Sequence, residues 1–237
     1  MAFTIAQSIS ALAVGLSAPL QSKGGTGPYT YAVLAGGPGG TISSTGLYTA
    51  PKKTGIDVVE STDAGGFKAQ AQMLVGTPLE LFCDIIRREM GLIGNQVYLW
   101  DQKIKVPTDE RLYVAVGIQT CKPFANVKKL DANGNSEQCV NFLATLSVDI
   151  MSRGPDARDR KEEMVMALKS DYAESQEELN SFFVGTLPTA FANLSELDGS
   201  AIPYRFNISV NLQYFVTKTK PVAYYDNFNE VDISVNP

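Results

Sequence analysis

Few side chains in this sequence are of the types that carry out catalysis. The 237-residue chain contains no histidine, so it lacks the commonest general base, nucleophile activator and metal ligand. Its cysteines, Cys83, Cys121 and Cys139, lie in apolar contexts without the close pairs of a zinc motif. This predicts small buried side chains in a reducing compartment. We therefore expect no enzymatic activity, no catalytic residues, no metal site and no cofactor.

Two glycine-rich stretches look at first like phosphate-binding loops. They are GGTG at 24–27 and GGPGG at 36–40. Neither follows a strand and opens a helix, and neither carries the Lys-Ser/Thr pair of a P-loop. We interpret both stretches as turns.

The densest run of charges is DARDRKEE at 156–163, which usually means a solvated helix face. The alternative is a basic face that binds an acidic partner in an assembly. Asp149, on the polar face of a strand, could then pair with such an arginine of a neighbouring subunit. No second carboxylate converges on Asp149, so we do not expect it to be catalytic. The members of the basic face would be Arg153, Arg158, Arg160 and Lys161.

Overall charge and hydropathy limit the partners. The net charge of −5 argues against an electrostatic grip on nucleic acid, but it suits a channel through which DNA passes without being held. No apolar run approaches the roughly 20 residues of a membrane span. The apolar run at 11–16 also lacks the preceding basic residues of a secretory signal. We expect no membrane partner.

Residues 1–76 are poor in charge and consist of short apolar segments separated by turns. The clearest segment is FKAQAQMLV at 67–75, where Phe67, Ala69 and Met73 share one face of a strand. Turn signals such as DAGG at 63–66 separate the segments. Short strands at this spacing predict a small β-sandwich.

This region resembles a bacterial immunoglobulin-like domain, of the kind found in adhesins and phage structural proteins. The motifs GGTGPYTYAV, GTISSTGLYTAP, DVVESTDAGG and KAQAQMLV carry the likeness. We expect a turn at Gly46, a buried Tyr48, and a strand that ends at Pro51, which has no N–H for a ladder. Tyr29, Tyr31 and Tyr48 could instead form a platform that stacks on sugars. We expect at least two of the three to be core residues.

The composition and the hydrophobic pattern change at Thr77, where a helix is predicted to begin. Thr77 as N-cap, Pro78 at the first helical position and Glu80 at the third form a capping box. Gly91 is expected to end this helix. A domain boundary is therefore predicted near residue 76, with a very short linker.

Alternating strands and two amphipathic helices are predicted to follow. The fold class is thus two domains, an all-β sandwich at 1–76 and an α+β domain at 77–220. In the second domain, helices are expected to pack on an antiparallel or mixed sheet. The predicted order is strands at 95–101, 111–120 and 137–152, helices at 154–170 and 173–181, and a strand at 204–220.

The second domain looks like the tail-terminator or neck (collar) proteins of tailed bacteriophages. The likeness rests on DIIRREM, QVYLWDQ and RFNISVNL in this order and covers 77–220. It implies a virion protein that forms a hexameric ring, with the tail tube and head connector as partners and DNA passing through the lumen. The N-terminal domain departs from the smallest family members, which leaves open a terminator or an adjoining collar protein. The alternative function is a secreted or surface module that binds carbohydrate or protein.

The C-terminal tail at 221–237 has no clear place in a compact domain. We predict that it adds a strand to a neighbouring subunit or ring through VDISV. Tyr224, Tyr225 and Phe228 would then be buried between subunits. The alternative is that the tail packs on its own domain.

Overall fold

β-strands dominate the fold, and three α-helices accompany them in the described part of the chain. None of these described helices combines the length and the apolar character needed to cross a membrane. The structure is a computed structural model that describes residues 3–6, 10–100, 108–130, 134–186, 190–195 and 204–220.

Nine short strands lie in the N-terminal half, by which we mean the described part of residues 3–76. In chain order they are β1 (Thr4–Ala6), β2 (Ala11–Ala13), β3 (Ser17–Pro19), β4 (Gln21–Lys23), β5 (Thr30–Val33), β6 (Thr41–Ile42), β7 (Leu47–Thr49), β8 (Gly55–Thr62) and β9 (Lys68–Gly76). They form a four-stranded sheet in the order β2-β9-β8-β5, a three-stranded sheet β3-β7-β6 and the pair β1-β4. Tyr48, Val59 and Met73 from the two larger sheets lie in one buried core.

The tyrosines of this half only partly follow the sequence prediction. Tyr48 is fully buried after Gly46, whose φ of 85° fits the expected turn. Tyr29 and Tyr31 are half-buried, so one tyrosine is a core residue where we expected two. The reason is the position of Tyr31 on β5, an outer strand of its sheet, and of Tyr29 just before that strand. Tyr29 stacks on Phe3, with the ring centroids 5.8 Å apart.

A buried carboxylate, Asp57, organises the turn at 36–40. It accepts a hydrogen bond from the Tyr48 hydroxyl at 2.6 Å and from the Gly40 N–H at 2.9 Å. The Gly39 N–H also points to it, at 3.3 Å. A Cβ on Gly40 would lie 2.5 Å from both Asp57 Oδ2 and the Tyr48 hydroxyl, so only glycine fits there.

A second carboxylate, Asp63, holds the turn at 24–27 in the same way. It accepts from the N–H groups of Thr26 at 3.0 Å and of Gly65 and Phe67 at 2.9 Å each. These hydrogen bonds hold the pKa of the Asp63 carboxyl below its usual value, and the bond from Thr26 has the largest effect. Both glycine-rich stretches are therefore turns, as predicted, and their N–H groups serve carboxylates of the same chain.

Besides a 3₁₀-helix at Gly94–Gln96, nine α-helices and strands make up the C-terminal half, the described part of residues 77–220. They are α1 (Pro78–Glu89), β10 (Val97–Leu99), β11 (Tyr113–Leu130), β12 (Ser136–Ser152), α2 (Asp156–Ala167), α3 (Asp171–Asn180), β13 (Phe182–Val184), β14 (Ala192–Asn193) and β15 (Tyr204–Lys220). The predicted capping box of α1 is confirmed, since the Glu80 carboxylate accepts the Thr77 N–H at 2.7 Å. Gly91 follows the helix with a φ of 63°.

One mixed sheet connects the strands of the C-terminal half, in the order β10-β11-β12-β15-β13, with β14 also paired to β15. β10 runs parallel to β11, and the other pairs are antiparallel. The helices cover one face, which we call the helix-side face. There Val148 of β12 and Ile208 of β15 join Met164 of α2 in the main core. Helices packed on a mixed sheet agree with the predicted α+β arrangement.

The two halves are packed against each other. Ala11 and Ala13 of β2 belong to the core of the C-terminal half. The Ala13 N–H donates to Asn180 Oδ1 at 2.6 Å, and the Ser10 hydroxyl, just before β2, lies 3.4 Å from the Tyr172 hydroxyl. Apolar contacts and these hydrogen bonds thus join the β2 region to α1 and α3.

Candidate assembly surface

The three longest strands extend past the helices as a three-stranded arm. We define the arm as residues 117–130 of β11, 136–143 of β12 and 213–220 of β15. At about 3.3 Å per residue, the β11 part alone is about 40 Å long. Its outer strands are exposed almost throughout, and its central strand is half-buried. Both faces of the arm are therefore accessible to another molecule.

The helix-side face of the arm continues the apolar surface of the core. Phe142 pairs with Tyr214 in the register, and their rings stack with centroids 5.6 Å apart. Val140 pairs with Val216 in the next step toward the tip, where Val216 is 51% exposed. The Tyr214 hydroxyl lies 3.4 Å from Cys121 Sγ, and burial raises the pKa of Tyr214 to about 12. This apolar stripe is the part of the helix-side face that no described helix covers.

The opposite face of the arm also carries apolar side chains. Val127 is 56% exposed and pairs in the register with Cys139. Phe215 is exposed on the same face. The Lys129 ammonium lies 3.6 Å from the Glu137 carboxylate on this face. This face therefore carries both signs of charge, whereas the charged side chains on the helix-side face of the arm are all lysines.

Charge distinguishes the arm from the rest of the chain. The arm has five lysines and one glutamate, so the remainder of the chain holds 15 of the 20 basic and 24 of the 25 acidic residues. A basic element on an acidic protein is suited to electrostatic attraction to that protein's own surface. All five lysines are exposed, and they are Lys122, Lys128, Lys129, Lys218 and Lys220.

The edges of the arm oppose pairing with a further strand. Among the residues that the structure describes, β10 accompanies β11 only as far as Val116, and β13 reaches β15 only as far as Tyr214. Beyond these points the outer strand β11 contains Pro123, which has no N–H, and two irregularities of register. Lysines on both outer strands add to this protection. We therefore expect the arm to contact other chains through its faces.

Asp149, which the sequence offered as a candidate partner for an arginine of a neighbouring subunit, has a partner within its own chain. It is 6% exposed and accepts from Arg205 Nε at 3.1 Å and from Asn207 Nδ2 at 3.1 Å. Asp149 pairs with Asn207 in the register, so the adjacent strand brings Arg205 beside it. Within the chain Asp149 thus pairs with Arg205, and its contact with a neighbouring subunit stays a prediction.

Two arginines of the predicted basic face, Arg158 and Arg160, have acidic groups nearby. Arg158 Nε lies 2.8 Å from Asp159, and Arg160 Nη2 lies 2.7 Å from Glu163. Arg153 is half-buried just before α2. Because α2 alternates charges along its surface, these residues form a mixed face and not a basic one. This corrects the alternative reading and agrees with the solvated helix face.

The remaining predicted residues divide into two groups. Tyr224, Tyr225 and Phe228, with the whole tail at 221–237, lie outside the described residues. Among the cysteines, Cys83 and Cys139 are half-buried, and burial raises the pKa of the Cys83 thiol to about 12. Cys121 is exposed, contrary to prediction, because it lies on an outer strand of the arm.

Sequence reasoning missed the arm and the pairing of Asp149 with Arg205. A partial signal for the arm was present, since the strands predicted at 137–152 and 204–220 are far longer than the typical strand of about 5 or 6 residues. The clustering of lysines on the last part of β15 was a second signal.

Removing the Asp149 carboxylate is expected to destabilise the sheet. Asp149→Ala takes away the acceptor to which Arg205 and Asn207 donate, and we expect a loss of about 2 kcal/mol in the free energy of unfolding. Asp159→Ala, at an exposed pair, is the matched control and should cause no measurable change. Denaturant unfolding measures both, and equal effects would contradict the inferred role of Asp149.

Comparisons with known proteins do not assign the chain to a family. In the described residues, no group of three or more histidine, cysteine, aspartate or glutamate side chains could hold a metal ion. No family model matches the chain, and no curated protein matches it.

Similar solved structures include protocadherin fragments. PcdhgB3 EC1-4 is 11% identical with a TM-score of 0.26, and covers 62% of this chain and 45% of its own. The extracellular cadherin domains 1-4 of Protocadherin Gamma B7 are 12% identical with a TM-score of 0.26, at the same coverage of 62% and 45%. The Protocadherin gammaB7 EC3-6 cis-dimer is 11% identical with a TM-score of 0.25, and covers 63% and 43%. The chain thus spans less than half the length of these structures, and at such TM-scores the likeness carries no argument about fold or function.

Proposed function

We propose that this chain is a structural virion protein of a tailed bacteriophage. Copies of it, six by the resemblance, form a ring at the neck or tail end that joins the tail tube to the head connector. DNA passes through the lumen without specific binding. No enzymatic step is part of this role, and assembly is the activity.

The arm is the observation that carries this proposal. Exposed large apolar side chains on both faces of an element about 40 Å long are unfavourable for a monomer in water. Contact with a neighbouring copy removes this surface from water, and a ring gives every copy the same contact. The order of one helix, strands, two helices and a last long strand also supports the resemblance on which the phage assignment rests.

A two-domain layout belongs to the same proposal. We place the boundary between Gly76 and Thr77, where β9 ends and the cap of α1 begins. The N-terminal half is then an immunoglobulin-like decoration with its own core, fixed to the ring domain through β2. It faces outward, away from the lumen.

Electron microscopy of the purified chain in negative stain tests the proposal. We expect closed rings with six-fold symmetry and a central hole wide enough for a DNA duplex. Antibodies against the chain should label the neck or tail end of virions. Single globular particles would contradict the ring and favour the alternative, a secreted or surface binding module.

A further inference from the structure

We infer that the helix-side face of the arm of one copy binds an acidic patch on α3 of the next copy. This inference deepens the proposed assembly, on which it rests, by naming the two surfaces that meet. It follows from the charges and apolar groups that each surface leaves uncovered.

The acidic patch consists of Asp171, Glu174 and Glu178 on the exposed side of α3. Their spacing of three and four residues places them on one stripe of the helix. No described lysine or arginine forms an ion pair with any of the three. The patch therefore keeps its negative charge available for another molecule.

An exposed apolar residue lies next to the acidic patch in the chain. Met166, near the end of α2, is 72% exposed, and only a short turn separates it from the start of α3. A flexible thioether adapts readily to an apolar partner surface. The patch thus offers negative charges together with an apolar contact.

The helix-side face of the arm offers the complementary set. Lys218 of β15 and Lys128 of β11 both pair with Gln138 of the central strand, and Lys220 pairs with Ser136. All of these side chains lie on the helix-side face. Toward the base, Val216 and Tyr214 supply apolar contact on the same face. Lysines at the tip and apolar groups at the base match carboxylates and a methionine on the partner.

The two surfaces are different parts of the molecule, so their contact is heterologous. Such contacts lead from copy to copy around a ring when the rotation closes. A chain's own α3 is beside β13 at the base of its arm, and both the patch and the lysines of the tip remain exposed within one copy. The contact is therefore expected between copies.

Charge reversal on each surface tests the inference. The arm variant carries Lys218→Glu and Lys220→Glu, and the patch variant carries Glu174→Lys and Glu178→Lys. Each variant alone should assemble with a dissociation constant between neighbours that is raised by roughly tenfold to hundredfold. An equimolar mixture should assemble again, because each arm then meets a patch of opposite charge on the other variant.

The control variant carries Lys122→Glu and Lys129→Glu, on the opposite face of the arm, and should assemble like the native chain. Melting curves of all variants should lie close to that of the native chain, because every altered side chain is exposed and the surface ion pair of Lys129 with Glu137 contributes little to stability.

The outcomes separate the inference from the proposed function. A native chain that stays monomeric overturns both. A native chain that assembles, with an arm variant that assembles equally well, overturns only the inference. An impaired arm variant also overturns only the inference if the patch variant assembles like the native chain or if the mixture fails to assemble. The lysines would then bind another partner, such as nucleic acid.

Discussion

Val216→Asp is expected to leave the chain largely monomeric. Val216 lies on the helix-side face of the arm, between Tyr214 and Lys218, and is exposed within one copy. The substitution removes an apolar contact and places a carboxylate opposite the acidic patch of the neighbouring copy. We expect a cost of about 3 kcal/mol per interface, which corresponds to roughly a hundredfold rise in the dissociation constant.

The chain provides a matched control for this substitution. Val127 has nearly the same exposure but lies on the opposite face of the arm. Val127→Asp should therefore assemble almost like the native chain, and sedimentation velocity compares the two variants at equal concentration. Equal impairment by both would show that the two faces do not differ, whereas an effect of Val127→Asp alone would reverse the assignment of the faces.

Asp57→Ala is expected to destabilise the N-terminal half strongly. The substitution removes the acceptor of the fully buried Tyr48 hydroxyl, of the half-buried Gly40 N–H and of the exposed Gly39 N–H. A buried donor left without an acceptor costs about 1–3 kcal/mol, so we expect a total loss of about 4 kcal/mol. This is a large part of the stability of a typical domain.

Two further variants make the test of Asp57 specific. Tyr48→Phe removes one of the three donors and should cause a smaller loss. Gly40→Ala leaves the donors in place but brings a methyl group against Asp57 and Tyr48, and should cost about as much as Asp57→Ala. Chemical denaturation followed by tyrosine fluorescence measures all three, and an unchanged midpoint for Asp57→Ala would contradict the described hydrogen bonds. In the proposed two-domain layout, assembly through the arm should persist in each variant under native conditions.

Local signals in the sequence predicted much of the secondary structure. The capping box at Thr77 requires only residues three positions apart, and it begins α1 as expected. The strands at 136–152 and 204–220 alternate regularly over their full length, and the prediction of both was confirmed. Such features depend on neighbours in the chain and can be derived without the fold.

β11 shows why the arm could not be predicted in the same way. Its alternation is interrupted at Ile118 and again after Pro123, so a period of two can be followed in the sequence only to about residue 120. Proline inside a strand also argues against a continuous ladder. Only the pairing with β12 shows that β11 continues to Leu130.

Contacts between distant residues account for the other misses. Asp149 and Arg205 are 56 positions apart and meet because β12 and β15 are paired over 17 residues. Nothing near Asp149 in the sequence identifies that partner. Asp57 likewise lies in an ordinary alternating segment, and its role depends on a turn 17 positions away.

Native mass spectrometry of the full chain tests the central claim, assembly through the arm, most directly. One chain has a mass of 25.6 kDa. We predict one dominant species of about six chains for the native protein, and a predominantly monomeric species for Val216→Asp at the same concentration. A native protein that remains at the mass of one chain throughout the accessible concentration range would contradict the account.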